Sequence, residues 1–202
     1  MFDIRASALR SFADVIRLPS GQKLIVRFVE PEDVESLQAY LHALSRPSHY
    51  NRFLGAVRAL SGKELDRIVR IGEERRFAVI AELQVDGRPL IVGEARYAFD
   101  PTWRQVEFGM SIGEAWRRRG MGSALIANLE CRAAASGAVN LFGEALRTNE
   151  AMIALARKAG FSLKHAPDDW RLSRFEKKLG SAVNEIPCPG SRRVAAALAA
   201  AG

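Results

Sequence analysis

The stretch Arg117-Arg118-Arg119-Gly120-Met121-Gly122-Ser123 combines residue types that suit binding of an anion. Three adjacent guanidiniums offer long-range attraction and bidentate contacts. An apolar, strand-like run from Val106 to Ile112 stops five residues before Arg117, and a helical pattern begins at Gly120. The first N–H groups of a helix lack intrahelical partners and carry partial positive charge, so a strand–loop–helix junction holds phosphate. Glycines at 120 and 122 let the backbone approach an anion without a Cβ in the way. Two familiar nucleotide loops are excluded. Gly-x-Gly-x-x-Gly fails because residue 125 is Leu, and no Gly-Lys-Ser/Thr follows. The same residues also read as a solvated basic turn, and spacing alone leaves both readings open.

The chain has 202 residues, 48% hydrophobic and 26% charged, enough apolar content for a sizeable core. Its net charge of +7 admits a nucleic-acid binder, a membrane-surface protein or an enzyme for an anionic ligand. Two cysteines, Cys131 and Cys188, are too few for a disulfide scaffold or a four-Cys zinc site, and Cys131 is expected to pack inside a helix. No apolar run approaches the roughly 20 residues that cross a bilayer. Met1 to Arg5 has an early acid and no basic-then-apolar pattern of a signal peptide, so a cytoplasmic protein is expected. No Arg/Lys stripe with interleaved aromatics supports a nucleic-acid partner, and no membrane partner is expected.

Turn chemistry and periodicity predict one α/β domain with a mixed sheet. Val15 to Leu18 and Leu24 to Phe28 flank a Pro-Ser-Gly-Gln turn as a hairpin. Pro31 opens a helix expected over 31–45, and Ser61-Gly62-Lys63-Glu64 caps a second over 62–71. Asp86-Gly87 joins Phe77–Val85 to Leu90–Phe99 as a hairpin. A strand over 106–112, a helix over 120–136, a strand over 139–146, a helix over 150–159 and two closing strands follow. Ser45 to Leu60 shows no clear period. Residues 1–20 read as a leading arm, 21–180 as the domain and 181–202 as an Ala-rich tail.

In its ordered motifs the chain resembles the GCN5-related N-acetyltransferases. Arg117-Arg118-Arg119-Gly120-Met121-Gly122 matches their Gln/Arg-x-x-Gly-x-Gly/Ala acyl-CoA motif at the family's spacing from Ile112. Asn149-Glu150-Ala151-Met152, Leu155 and Lys158-Ala159-Gly160-Phe161 match a second signature. The likeness runs from about Lys23 to Leu179 and implies a single domain with a mostly antiparallel sheet, splayed at the acyl-CoA site and flanked by helices. It implies acetyl-CoA as co-substrate, no metal and an amine acceptor, and leaves a homodimer open. Met110 and Ile112 would hold the pantetheine through backbone groups. Residues Arg117, Arg118, Arg119, Gly120, Met121 and Gly122 would cradle the pyrophosphate, with a hydroxyl from Ser123. Asn149 would touch the CoA arm, cap a helix, or both.

The implied reaction is attack of a primary amine, from a protein lysine, an N-terminus or a small molecule, on the acetyl thioester. A protonated lysine has a reference pKa of about 10.4, so a base must take a proton. The resemblance places that base at Glu107; a surface carboxylate on an alternating strand is the plain alternative. Glu144 is the second candidate, and Glu94 is expected to line the acceptor groove. Arg46, Tyr50, Arg52 and Phe53 in the unpatterned segment border the acceptor or form a packed linker. Many relatives carry Tyr just after the residue matching Leu155, and this chain has Ala156. That departure motivates an alternative, a non-catalytic acyl-CoA-binding regulatory module.

Overall fold

The computed structural model describes residues 13–55, 60–70, 72–180 and 188. Among these residues eight strands form one sheet in the order β1-β2-β3-β4-β5-β6-β8-β7. They are β1 Ala13–Arg17, β2 Lys23–Phe28, β3 Arg76–Val85, β4 Arg88–Asp100, β5 Gln105–Ile112, β6 Asn140–Leu146, β7 Ser162–His165 and β8 Leu172–Lys178. All neighbours are antiparallel except β5 and β6, which run parallel. Hairpins account for the antiparallel pairs. Asp86 and Gly87, with φ of 50° and 76°, supply the left-handed pair that a two-residue turn requires.

Among the described residues five α-helices accompany the sheet: α1 Val34–Ala43, α2 Arg46–Phe53, α3 Gly62–Ile68, α4 Met121–Ala135 and α5 Glu150–Lys158. Helix α4 is the crossover between the parallel strands β5 and β6, as their orientation demands. One apolar cluster packs α4 and α5 on one sheet face, with Leu125, Leu129, Val106, Leu141 and Phe175 at its centre. A second cluster packs α1 on the opposite face through Leu37, Tyr40, Leu41, Ile80 and Ile91. Among the described residues no helix is long and apolar enough to cross a membrane.

Two expectations change. The helix foreseen over 31–45 divides into a 3-10 turn at Pro31–Asp33 and α1, and then Leu44 becomes extended. The unpatterned segment after it forms α2, whose first turn is capped by the Ser45 hydroxyl accepting from Ser48 N–H. Its sequence, Arg-Pro-Ser-His-Tyr-Asn-Arg-Phe, has no apolar stripe, and only Ser48 is buried. Polar contacts to β4 and to the loop after β5 hold it instead, and periodicity does not reveal such contacts.

Cys131 is buried, as expected, yet it also forms a disulfide with Cys188, 57 residues away. Residues 1–12, much of the proposed leading arm, and all of the proposed tail except Cys188 lie outside the described residues.

Candidate active site

Strands β5 and β6 are in register only from Gln105↔Asn140 to Phe108↔Gly143. Beyond that pair β5 continues to Ile112 and β6 to Leu146 without pairing, which opens a wedge in the sheet. Gly113 N–H donates to Val92 O on the β4 side at 2.9 Å. Alternation along an extended strand therefore turns the backbone groups of Met110 and Ile112 to the other side, into the wedge.

At the mouth of the wedge, β5 leads through a 3-10 turn at Glu114–Trp116 into α4. Gly120 is the N-cap with φ of 86°, and no side chain caps the helix. The first intrahelical bond runs from Ala124 N–H to Gly120 O at 3.0 Å. The N–H groups of Met121, Gly122 and Ser123 thus precede the helical ladder and point out of its N-terminus. Arg118 also has positive φ, at 58°.

The arginines do different things. Arg117 bends back, its Nε donating to Ile112 O at 3.0 Å and its Nη2 to Ser48 Oγ at 2.7 Å. Its side chain therefore ties the loop to β5 and α2. Arg119 lies over the Trp116 ring with its guanidinium carbon 5.2 Å from the centroid, while Arg118 and Arg119 are both exposed. Met121 is buried and has only its backbone to offer. At Gly122 an added Cβ would come within 2.9 Å of Leu155 Cδ2, so α4 packs on α5 with no room for a side chain here unless Leu155 shifts. Asn149 caps α5, its Oδ1 accepting from Met152 N–H at 3.2 Å.

The carboxylates separate by environment. Glu107 is exposed on β5, opposite Ala98 on β4 and Phe142 on β6, at the base of the wedge. Glu144 lies 3.5 Å from Arg174. Glu94 is buried, its Oε1 accepting from Arg52 Nε and from Ser111 Oγ (2.8 Å) and its Oε2 from Arg52 Nη2 at 3.0 Å. Burial pushes the Glu94 carboxyl up, but the guanidiniums of Arg52 and Arg96 outweigh it and hold the group below its ordinary range. Tyr40 rests on Ser111, oxygen to oxygen at 3.1 Å, and burial raises its phenol.

Glu94, Arg96 and Ala98 lie directly across from Ser111, Gly109 and Glu107, so all six share one face. This is the face covered by α1 and α2, opposite the α4 and α5 layer. Arg52 and Glu94, both singled out in the sequence, come together here. Sequence reasoning missed Arg96, Tyr40 and Ser111. A signal existed in Glu94-Ala95-Arg96, because two opposite charges at i and i+2 in a central strand must find partners when buried.

The sequence profile of the Acetyltransferase (GNAT) family matches residues 38–161, more than half of the chain. This chain belongs to the GNAT acetyltransferase family. An acetyltransferase of Pseudomonas aeruginosa is 28% identical over 152 residues, covering 75% of this chain and 82% of that protein. The crystal structure of the GNAT domain of S. lividans PAT superposes with a TM-score of 0.73 at 24% identity, over 83% of this chain and 97% of that one. Spermidine N-acetyltransferase from Vibrio cholerae, in complex with CoA and spermine, gives a TM-score of 0.64 at 14% identity, over 77% and 95% of the two chains. These structural likenesses establish the fold that the GNAT membership names: one open, mostly antiparallel sheet flanked by helices.

Proposed function

We propose that the protein transfers the acetyl group of acetyl-CoA to a primary amine by direct attack on the thioester. One observation carries the reading: the sheet parts beyond Phe108 and Gly143 next to an uncapped helix N-terminus at Gly120. The Met110 backbone groups and the Ile112 N–H offer the pantetheine amides a strand to pair with, since β6 has withdrawn, while Ile112 O accepts from Arg117 Nε. The N–H groups of Met121, Gly122 and Ser123 then face the pyrophosphate, with the cations of Arg118 and Arg119 beside it. Arg117 contributes by fixing the loop, and Asn149 by fixing the start of α5 on the far side of the wedge.

Glu107 stands at the base of the wedge on the face opposite α4 and takes the proton that the ammonium must lose. The amine nitrogen then forms a bond to the thioester carbonyl carbon, the carbon–sulfur bond breaks, CoA leaves as a thiolate, and the nitrogen sheds its second proton to water as the amide forms. A thiol has a reference pKa of about 8.5, so the thiolate is a competent leaving group that water protonates. Ala156 brings no hydroxyl to that step and is fully buried.

The test is to mix the protein with acetyl-CoA and a panel of amines and to follow free thiol. Acceptor-dependent thiol release is the expected result. CoA binding with no turnover on any amine would favour a binding module instead, and no CoA binding would overturn both.

A further inference from the structure

Beneath α2, two guanidiniums share one carboxylate. Arg52 takes both oxygens of Glu94, and Ser111 takes the remaining capacity of Oε1. Arg96 is left with a grazing approach, its Nε 3.4 Å from Glu94 Oε2. Its Nε and Nη2 are buried and have no hydrogen-bond partner among the described residues. The Phe53 ring, 5.6 Å from the Arg96 guanidinium carbon, offers a π face but no acceptor atom. Such a group is costly, because a buried donor without a hydrogen-bond partner loses its hydration, and the approach to Glu94 returns only part of that loss. Arginine keeps its charge at any ordinary pH, so the cluster retains one positive charge that Glu94 does not cancel.

The placement gives that excess a use. Arg96 stands directly across from Gly109, where an added Cβ would come within 2.9 Å of Arg52 Nη1. No β5 side chain screens the spot. Arg52 Nη1 therefore occupies the place of the missing side chain, next to Arg96, whose side chain is 26% accessible, on the sheet face beside the wedge. Glu107 lies two residues along β5 on the same face, a diagonal neighbour of Arg96 at about 7–8 Å. A ligand spanning the two would present an amine to Glu107 and a planar anion to Arg96.

We propose that the acceptor is an amino-carboxylate, a small amino acid whose carboxylate is received by Arg96 with Arg52 beside it. This rests on the acetyltransfer reading above and names its substrate class. A guanidinium fork matches a carboxylate in two parallel hydrogen bonds, whereas a polyamine would bring like charge onto Arg96.

Matched pairs of acceptors test it: alanine against ethylamine, and lysine against cadaverine, each pair differing by one carboxylate. In the wild-type protein kcat/KM favours the carboxylated member by about 10- to 100-fold, the range of a charge-assisted hydrogen bond. Arg96→Ala brings that ratio toward one, and Arg96→Lys restores part of it. A structural role would instead lower both members equally and leave the ratio in place. Calorimetric titration of the CoA-loaded protein with glutamate gives a readout independent of turnover, with binding at least about tenfold weaker in Arg96→Ala. Equal use of the decarboxylated amines, an unchanged ratio in Arg96→Ala, or no heat with glutamate overturns the proposal. Failure of every amine to release thiol while glutamate still binds through Arg96 would sink the acetyltransfer reading and leave the carboxylate site standing.

Discussion

Phe108 on β5 and Gly143 on β6 are the last residues that these parallel strands bring into register, and the wedge opens immediately beyond them. Glu107 precedes the parting by one residue, on the face away from α4 and α5. The order along β5 therefore sets the Glu107 carboxylate at the base of the wedge, then Gly109 beneath Arg52, then the Met110 backbone groups and the Ile112 N–H on the side that β6 has left, with Ile112 O accepting from Arg117 Nε.

Replacing Glu107 by Gln keeps the shape of that position and removes the proposed base. We expect kcat to fall by about 100- to 10,000-fold, the ordinary contribution of a positioned base, with acetyl-CoA affinity unchanged. Steady-state thiol release and equilibrium CoA binding check the two halves. Full turnover in Glu107→Gln would assign proton transfer elsewhere, with Glu144 as the next carboxylate to replace.

The two loop glycines serve different ends and should respond differently. Gly120→Ala places a Cβ on a residue at φ of 86° and 3.0 Å from Pro19 Cδ, so a loss of about 1–2 kcal/mol is expected. Gly122→Ala drives its Cβ against Leu155 and costs about 1–3 kcal/mol by overpacking. In a Leu155→Ala background the Gly122→Ala penalty should shrink, while that of Gly120→Ala should not. Urea unfolding of the single and double variants measures this coupling. An unchanged Gly122→Ala cost would mean that Leu155 is not what excludes the methyl group.

Asp14 anchors the edge strand β1 to α4. Its Oδ2 accepts from Arg132 Nη2 at 2.9 Å and from Asn128 Nδ2 at 2.6 Å, and Arg132 lies beneath the sheet with its guanidinium carbon 4.5 Å from the Phe28 ring centroid. Asp14→Ala strands a buried guanidinium. We expect a loss of about 2–4 kcal/mol, somewhat under the range for fully buried pairs because Asp14 is partly accessible. Replacing Arg132 by Met in the same chain removes the unpaired charge and should recover much of that loss. A double variant no better than Asp14→Ala would show that Arg132 contributes through something other than its charge.

How much of this was legible beforehand depended on which force built each element. The Asp86-Gly87 hairpin, the strand ending at Ile112 and the helix opening at Gly120 are written in turn chemistry and apolar periodicity, and the structure places them within a residue or two. Helix α2 is not, because its eight residues are held by Ser45, Ser48 and Arg52 reaching groups 42 to 69 residues away. The wedge was legible only through resemblance, since the end of register between two strands leaves no mark on either. Arg117 and Gly122 carry further contacts that were hidden for a related reason: both residue types suit a phosphate, and here Arg117 also reaches Ser48 and Gly122 also meets Leu155. The Cys131–Cys188 disulfide joins residues too far apart in sequence for spacing to suggest it.

Acid should loosen the start of α2 before it reaches the core. Burial works against ionisation of Glu114, but hydrogen bonds from Ser48 and Ser45 prevail and bring its pKa from 4.5 to about 2. A carboxylate whose folded pKa is depressed contributes stability that is fully present above its unfolded value and is lost as pH falls through the folded one. The contribution of Glu114 is therefore complete above about pH 4.5 and disappears toward pH 2. In Glu114→Gln there is no carboxyl group to titrate, so the stability difference between wild type and variant should narrow across that window. Urea unfolding at stepped pH gives the difference directly. A difference that stays constant from pH 4.5 to 2 would mean that Glu114 gains nothing from Ser45 and Ser48 on folding, and that α2 is docked through Arg52 and Arg117 alone.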